Sequence, residues 1–372
     1  MNVAIVGGGA SAHLLGVLLA RRGHDVRILT SRPQDWSTDL ELETDDGVLR
    51  ANISGVSSHP EIVLDKAKVA FLCCPVHQYP SALRKLLPGL VKNPDCIVGP
   101  VYGQGGYDWM VRDFCRKHSI PIFRHFAIGL LPWIARTLEY GHRAISYGPK
   151  FRNGIACSDS ATFDFLKSNV LDDLSFNYWG CGRFEHVPNF LTLTLTVDNQ
   201  IIHPSRCFAL AQEHPYWSGK EEVPFFYKDF DKFSTDILCG VDEDYTTVRR
   251  AFFKKFPQFD NPFNLSYLEL EHWSYGSHNP DIQASFVNSN TLSAIMPPVV
   301  QSSDGKWRLD INHRFFKDDF AFGLEIAQWF GSELGVALPH VDRLVNWYKN
   351  EIVPMQKFKP ERIIPEIPSE KW

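Results

Sequence analysis

The chain has 372 residues, a 44% share of hydrophobic residues and a formal net charge of −5. That length and composition support two domains with proper cores, and a charge balance without a basic run excludes nucleic acid and anionic membrane surfaces as partners. No apolar stretch is long enough to span a membrane. The eight cysteines contain no C-x-x-C pair, which argues against a metal site or a disulfide framework and for a reducing, cytoplasmic setting.

The first thirty-two residues carry the strongest local pattern. Residues 3–6 form a short β-branched run, as in a buried parallel strand. Gly7, Gly8, Gly9, Ala10, Ser11 and Ala12 follow in the order G-x-G-x-x-A. Then come apolar residues at helix spacing, Gly23 as a helix stop, and a second strand over 26–29. A glycine turn between strand and helix is the setting in which this fingerprint denotes dinucleotide binding. Gly7 permits the tight turn, Gly9 lets the backbone approach a pyrophosphate, and Ala12 lets helix and strand pack closely. The N–H groups around Ala10 and Ser11 face the phosphates at the positive helix end. The second strand ends in Thr30, Ser31 and Arg32, small polar and basic groups suited to a 2′-phosphate, so NADP(H) is favoured over NAD(H). NAD(H) stays open if Asp35 turns in toward the ribose.

Residues 68–74 read as another buried strand, ending in Pro75 where a cofactor lies in a doubly wound sheet. A helix over 82–91, a strand over 96–98, a helix over 107–118, strands over 120–123, 144–148 and 154–157, and a helix over 161–168 complete residues 1–185. After that the pattern turns helical. A long helix over 190–202 is expected, bent or ended by Pro204. Further helices are expected over 229–238, 244–252, 320–334 and 341–351, with loops and short helices over 276–298. The proline-rich tail from residue 354 reads as extended.

Two stretches of the second half offer chemistry. His203, beside Pro204, suits proton transfer near neutrality if it projects into an interdomain cleft, although it is one of 14 histidines and spacing alone does not single it out. The run from Asn312 to Phe320 opens an apolar helix with Arg314, Asp318 and Asp319. The aspartates suit helix capping; alternatively Arg314 grips a carboxylate and one aspartate orients His203.

The chain resembles the octopine/nopaline dehydrogenase family of opine dehydrogenases over nearly its whole length. The resemblance rests on GGGASAH (7–13), GPVYGQGGYDW (99–109), LLPWIAR (130–136), IIHP (201–204), NPDIQ (279–283), HRFFKDDFAFG (313–323) and GVALPHVDRLVNW (335–347), in that order. It implies an α/β Rossmann domain with a doubly wound, mostly parallel sheet (1–185), followed by an all-α catalytic domain (186–372). It also implies reductive condensation of an amino acid or other amine with a 2-keto acid such as pyruvate, using NAD(P)H. His203, Arg314 and Asp319 occupy the family's catalytic positions. Members that take arginine carry an acid two places before L-P-W, where this chain has Gly129, so a smaller or apolar amine is expected. Asn199 and Trp133 are further substrate-side candidates; Trp133, like Trp217 and Trp273, is either pocket wall or core. A monomer and a homodimer both stay open. The competing readings are a 2-keto acid reductase of the ketopantoate-reductase or 3-hydroxyacid type, which would bring a catalytic lysine, and a dinucleotide-binding sensor without turnover.

Overall fold

The computed structural model describes residues 1–289 and 291–361. The chain divides into two units after Leu193, somewhat later than the division expected after residue 185. In chain order the first unit begins with β1 (Asn2–Val6), α1 (Ala10–Arg21), β2 (Asp25–Leu29), β3 (Asp39–Thr44), β4 (Gly47–Asn52) and β5 (Gly55–Ser57). It continues with α2 (Pro60–Val63), β6 (Val69–Leu72), α3 (Tyr79–Lys92), β7 (Ile97–Pro100), α4 (Tyr107–His118) and β8 (Phe126–Ile128). Then follow β9 (Trp133–Glu139), β10 (Arg143–Pro149), β11 (Arg152–Cys157), α5 (Ser160–Asn169), α6 (Phe176–Trp179) and β12 (Arg183–His186).

Five strands form the expected parallel sheet, in the order β5-β2-β1-β6-β7. Strands β6 and β7 are apolar throughout because both faces are covered, and every residue of the two is buried. Helix α1 is buried continuously from Ala12 to Leu19, and β3, β4, β9 and β10 pack against it. Those four strands make a second sheet, β4-β3-β10-β9, and β12-β11-β8 makes a third. The strands expected over 144–148 and 154–157 are therefore present but belong to these two sheets and not to the parallel one. No strand forms over 120–123: Pro121 cannot donate to a ladder, and the chain first pairs at His125, opposite Val98, before β8.

The second unit takes over within α7 (Phe190–Leu195) and contains α8 (Asn199–Glu213), α9 (Lys232–Lys255), α10 (Tyr267–Tyr275) and α11 (Ile282–Val287). A hairpin, β13 (Val299–Gln301) and β14 (Trp307–Leu309), precedes a wide π-helical segment, Phe315–Leu324. Then come α12 (Glu325–Leu334) and α13 (Pro339–Trp347). The long helix expected over 190–202 is two helices. The break falls at 196–198, and the Asp198 carboxylate accepts the Asn199 N–H at 2.5 Å to start α8. Pro204 does not end a helix here; it lies inside α8, whose Gln200–Leu210 stretch is buried throughout. Packing against α9 and the π-helical segment compensates for the one backbone bond a proline removes. The helices expected over 229–238 and 244–252 are a single α9. Residues 362–372 of the expected tail lie outside the described residues.

Candidate active site

In the first unit the turn between β1 and α1 takes the form the glycines require. Gly7 has φ +122°, and a Cβ there would stand 2.7 Å from the Cys73 carbonyl oxygen, so no other residue fits without moving that strand end. Gly9 is the N-cap of α1 and no side chain caps the helix among the described residues. The first-turn N–H groups around Ala10 and Ser11 are thus left for an anion, and Ala12 is fully buried against the sheet. These features fit a dinucleotide pyrophosphate.

His13, the seventh residue of GGGASAH, clamps this turn. Its Nε2 accepts the Gly141 N–H at 2.7 Å, which leaves Nδ1–H to donate to the Gly9 carbonyl at 2.9 Å. Burial lowers its pKa and keeps this neutral form. The ring stacks on Trp36 at 4.3 Å. Tyr140, from the β9–β10 turn, stands edge-on to both rings. Ser31 is exposed, and the Arg32 guanidinium lies over the Tyr140 ring at 4.0 Å and 3.6 Å from Asp35. Asp35 is therefore turned to Arg32. Thr30 Oγ1 lies 3.4 Å from the Tyr140 hydroxyl. Burial raises the Tyr140 pKa, but the Thr30 hydroxyl, the polar Trp36 and Arg32 groups beside the phenol and the Arg32 charge outweigh it and lower the phenol overall. Pro75 is half-buried just beyond β6, where it opens the turn into α3.

Gly129 is packed tightly. Its N–H donates to the Gly154 carbonyl at 2.8 Å, and a Cβ would lie 3.0 Å from Leu193. A carboxylate side chain would have to displace these neighbours. Trp133 is a core residue rather than a pocket wall: it is 3% exposed, and its indole N–H donates to the Leu174 carbonyl at 2.8 Å and the Ser175 hydroxyl at 3.0 Å. Trp217, in the second unit, is likewise core, in a small cluster with Leu210 and Val223.

The second unit brings His203 and Asp319 together from α8 and the π-helical segment. His203 Nδ1 lies 2.8 Å from Asp319 Oδ2, and both residues are 1% exposed. The imidazole stacks on Phe315 at 3.5 Å and meets Phe226 edge-on. Asp318 and Asp319 do not cap a helix start; both are buried within the widened turns. Extra residues of this kind in a helix commonly mark functional sites. Burial, with the positive charge of Arg314 and that of His313 when protonated, lowers the His203 pKa well below the ordinary value. Burial likewise raises Asp319 well above the carboxylate range, with Asp318 and Asp198 adding to it and Arg314 opposing it. The two shifts have one meaning: a dry site disfavours separated charges, so the pair takes up a proton as a unit.

Arg314 is half-buried, with its guanidinium 5.0 Å from the Phe315 ring. It makes no hydrogen bond or ion pair with another described residue. Burial, then the Arg314 charge, pushes the neighbouring His313 down to about 4. Asn199 lies one turn before His203 on α8, on the same helix face, and is half-buried.

Residues 186–351 match the family described as "NAD/NADP octopine/nopaline dehydrogenase, alpha-helical domain". Residues 2–95 match "NADP oxidoreductase coenzyme F420-dependent". The octopine dehydrogenase of Pecten maximus is 24% identical over 372 residues, covering 95% of this chain and 90% of that protein. The opine dehydrogenase of Haliotis discus hannai is 22% identical, with 95% and 90% coverage. The chain carries an octopine/nopaline dehydrogenase α-helical domain over residues 186–351, and the octopine and opine dehydrogenases it is similar to cover nearly its whole length. It is accordingly an NAD(P)-dependent oxidoreductase. Its fold is that of a solved octopine dehydrogenase bound to NADH and L-arginine, with a TM-score of 0.77 at 22% identity, over 94% of this chain and 89% of that one.

Sequence reasoning missed four residues of these sites. Tyr227, whose hydroxyl stands 3.2 Å from His203 Nε2, sits in an irregular turn with no motif around it. Phe315 lay inside a quoted motif but carried no chemical signal. Tyr140 and Trp36 reach the glycine turn only through the second sheet, which the sequence did not suggest. The alternation of Leu40 and Leu42 and the Asp46-Gly47 turn were the available signals for that sheet.

Proposed function

We propose that the protein reductively condenses an amino acid, or another amine, with a 2-keto acid such as pyruvate, and runs the reverse oxidation. The observation that carries this reading is the buried His203–Asp319 pair beside the Arg314 guanidinium, which pairs with no other described residue. A bound nicotinamide supplies the hydride. Arg314 takes the keto-acid carboxylate in a bidentate grip, which fixes C2 of that substrate beside the imidazole. His203, neutral at rest, accepts the proton that the incoming ammonium must lose before its nitrogen attacks the carbonyl. It returns a proton as the carbonyl oxygen leaves as water. Asp319 holds the ring and takes up the charge. The Phe226 and Phe315 walls keep bulk water from these groups.

Gly129 and its packed surroundings support a small or apolar amine over arginine, since no acid stands there to meet a guanidinium. NADP(H) is the favoured cofactor. Supporting it are the absence of an acid at the end of β2, the Arg32–Tyr140 stack and the polar Ser31 and Thr30 beside it. Arg32→Ala should lower the preference for NADPH over NADH by roughly 10-fold, the scale of one charge-assisted contact; equal effects on both cofactors, measured by titration, would remove Arg32 from 2′-phosphate recognition. The reaction itself is tested by mass. Incubation with pyruvate, a small amino acid and NADPH should give an N-(carboxyethyl) amino acid, whereas lactate alone would identify a 2-keto acid reductase.

A further inference from the structure

In the second unit, His203 has one ring nitrogen committed to Asp319. The other, Nε2, does not face open space: the Tyr227 hydroxyl lies against it at 3.2 Å. We infer that Tyr227 carries protons between the substrate and His203, its hydroxyl serving as the group that meets the reacting nitrogen and oxygen. This rests on the proposed role of His203 in proton transfer.

The hydroxyl suits the role because it is both donor and acceptor. When the His203–Asp319 pair lacks its extra proton, Asp319 is an acceptor only, so Nδ1 carries the ring hydrogen and Tyr227 donates to Nε2. When the pair is protonated, Nε2 carries a hydrogen and donates to the Tyr227 oxygen. One hydrogen bond therefore reverses as the pair titrates, with no heavy atom moving. During condensation the ammonium loses its proton to Tyr227 Oη while the phenol proton passes to Nε2; the amine nitrogen bonds to the carbonyl carbon, and one of its two remaining protons passes to the new alkoxide, giving a carbinolamine. The transfer then runs backwards: Nε2 returns a proton to Oη, Oη gives one to the carbinol oxygen, the C–O bond breaks and water leaves. The tyrosine and the pair end as they began.

The placement of Tyr227 is built into the core. Arg206, one turn after His203 on α8, is 1% exposed. Its guanidinium donates to the Phe226 carbonyl at 3.2 Å, the Phe225 carbonyl at 3.4 Å and the Asp229 carbonyl at 2.7 Å. It also pairs with Asp231 at 2.5 Å. The 225–229 turn is thereby tied to the helix that carries the histidine. The phenol ring packs on Phe226 at 4.9 Å and Phe286 at 5.5 Å. The charged and titratable groups acting on the pair are Arg314, His313, Asp318 and Asp198. Cys207 on α8 and Tyr245 on α9 also lie near Asp319, and burial raises the pKa of each, keeping both neutral.

Tyr227→Phe keeps the ring contacts and removes only the oxygen. The test compares wild type, Tyr227→Phe and His203→Ala for kcat, KM, the pH profile of kcat and thermal unfolding. The inference predicts that Tyr227→Phe lowers kcat by about 10- to 10²-fold, with both KM values within about threefold of wild type. Its unfolding temperature should be unchanged, and the pH dependence of kcat should be altered. Wild-type kcat with an unaltered pH profile would overturn it and put His203 in direct contact with substrate. A lower kcat accompanied only by lower stability and an unaltered pH profile would also overturn it, leaving a packing role. An active His203→Ala variant would instead overturn the role of His203 itself, whatever Tyr227→Phe does.

Discussion

His203→Ala is expected to lower turnover by about 10²-fold or more while dinucleotide binding survives. The two halves of this result come from separate units. The glycine turn, Arg32 and Tyr140 belong to the first unit, and nothing in the α8 substitution touches them. In the second unit the variant removes the only imidazole paired with Asp319 among the described residues and leaves a buried carboxyl without its partner. Asp319→Asn should cost turnover by a similar order, because an amide N–H facing Nδ1 turns the ring to its other tautomer and takes the lone pair away from Nε2. A near-normal rate in either variant would remove the pair from the chemistry. Titration with NADPH separates loss of catalysis from loss of binding.

The second large effect is expected at Arg314. Removing its guanidinium should raise the KM for the keto acid by roughly 10²-fold, the equivalent of about 3 kcal/mol for a charged bidentate contact. A fall in kcat should accompany it, because a loosely held carboxylate lets the carbonyl carbon drift from the imidazole. The KM for the amine should change much less. Arg314 makes no ion pair or hydrogen bond with a described residue, so its loss breaks little of the fold, and unfolding temperature should be near that of wild type. Initial rates at varied pyruvate decide the matter; an unchanged keto-acid response would assign Arg314 to the surface of the unit and not to the substrate.

The parts legible in the sequence are those whose contacts are local. The glycine turn is one: strand, turn, helix and strand follow each other within a few residues, and each glycine answers to the backbone beside it. The apolar strands of the parallel sheet are another, because burial on both faces leaves a continuous mark. The pairing of His203 with Asp319 was reached through family resemblance rather than spacing, since the partners lie far apart in the chain. Other features left no local trace. Period and propensity do not say which sheet a strand joins, so β10 and β11 are legible as strands of the first domain but not as members of the second and third sheets. A proline reads as a helix breaker, yet Pro204 stays within α8 because the surrounding packing holds that helix. Residues 320–324 read as the start of an ordinary helix because widened turns keep nearly the same apolar spacing. Tyr227 reaches the imidazole only because Arg206 draws an irregular turn against α8, an arrangement that no motif encodes.

The central claim is that this chain joins an amine to a keto acid and reduces the product. The most direct measurement is the initial rate of NADPH and NADH oxidation at about 340 nm with pyruvate, in the presence and absence of a panel of small and apolar amino acids. The account predicts oxidation that requires both pyruvate and an amine, faster with NADPH, and lost in His203→Ala. Oxidation at the same rate with pyruvate alone would contradict it.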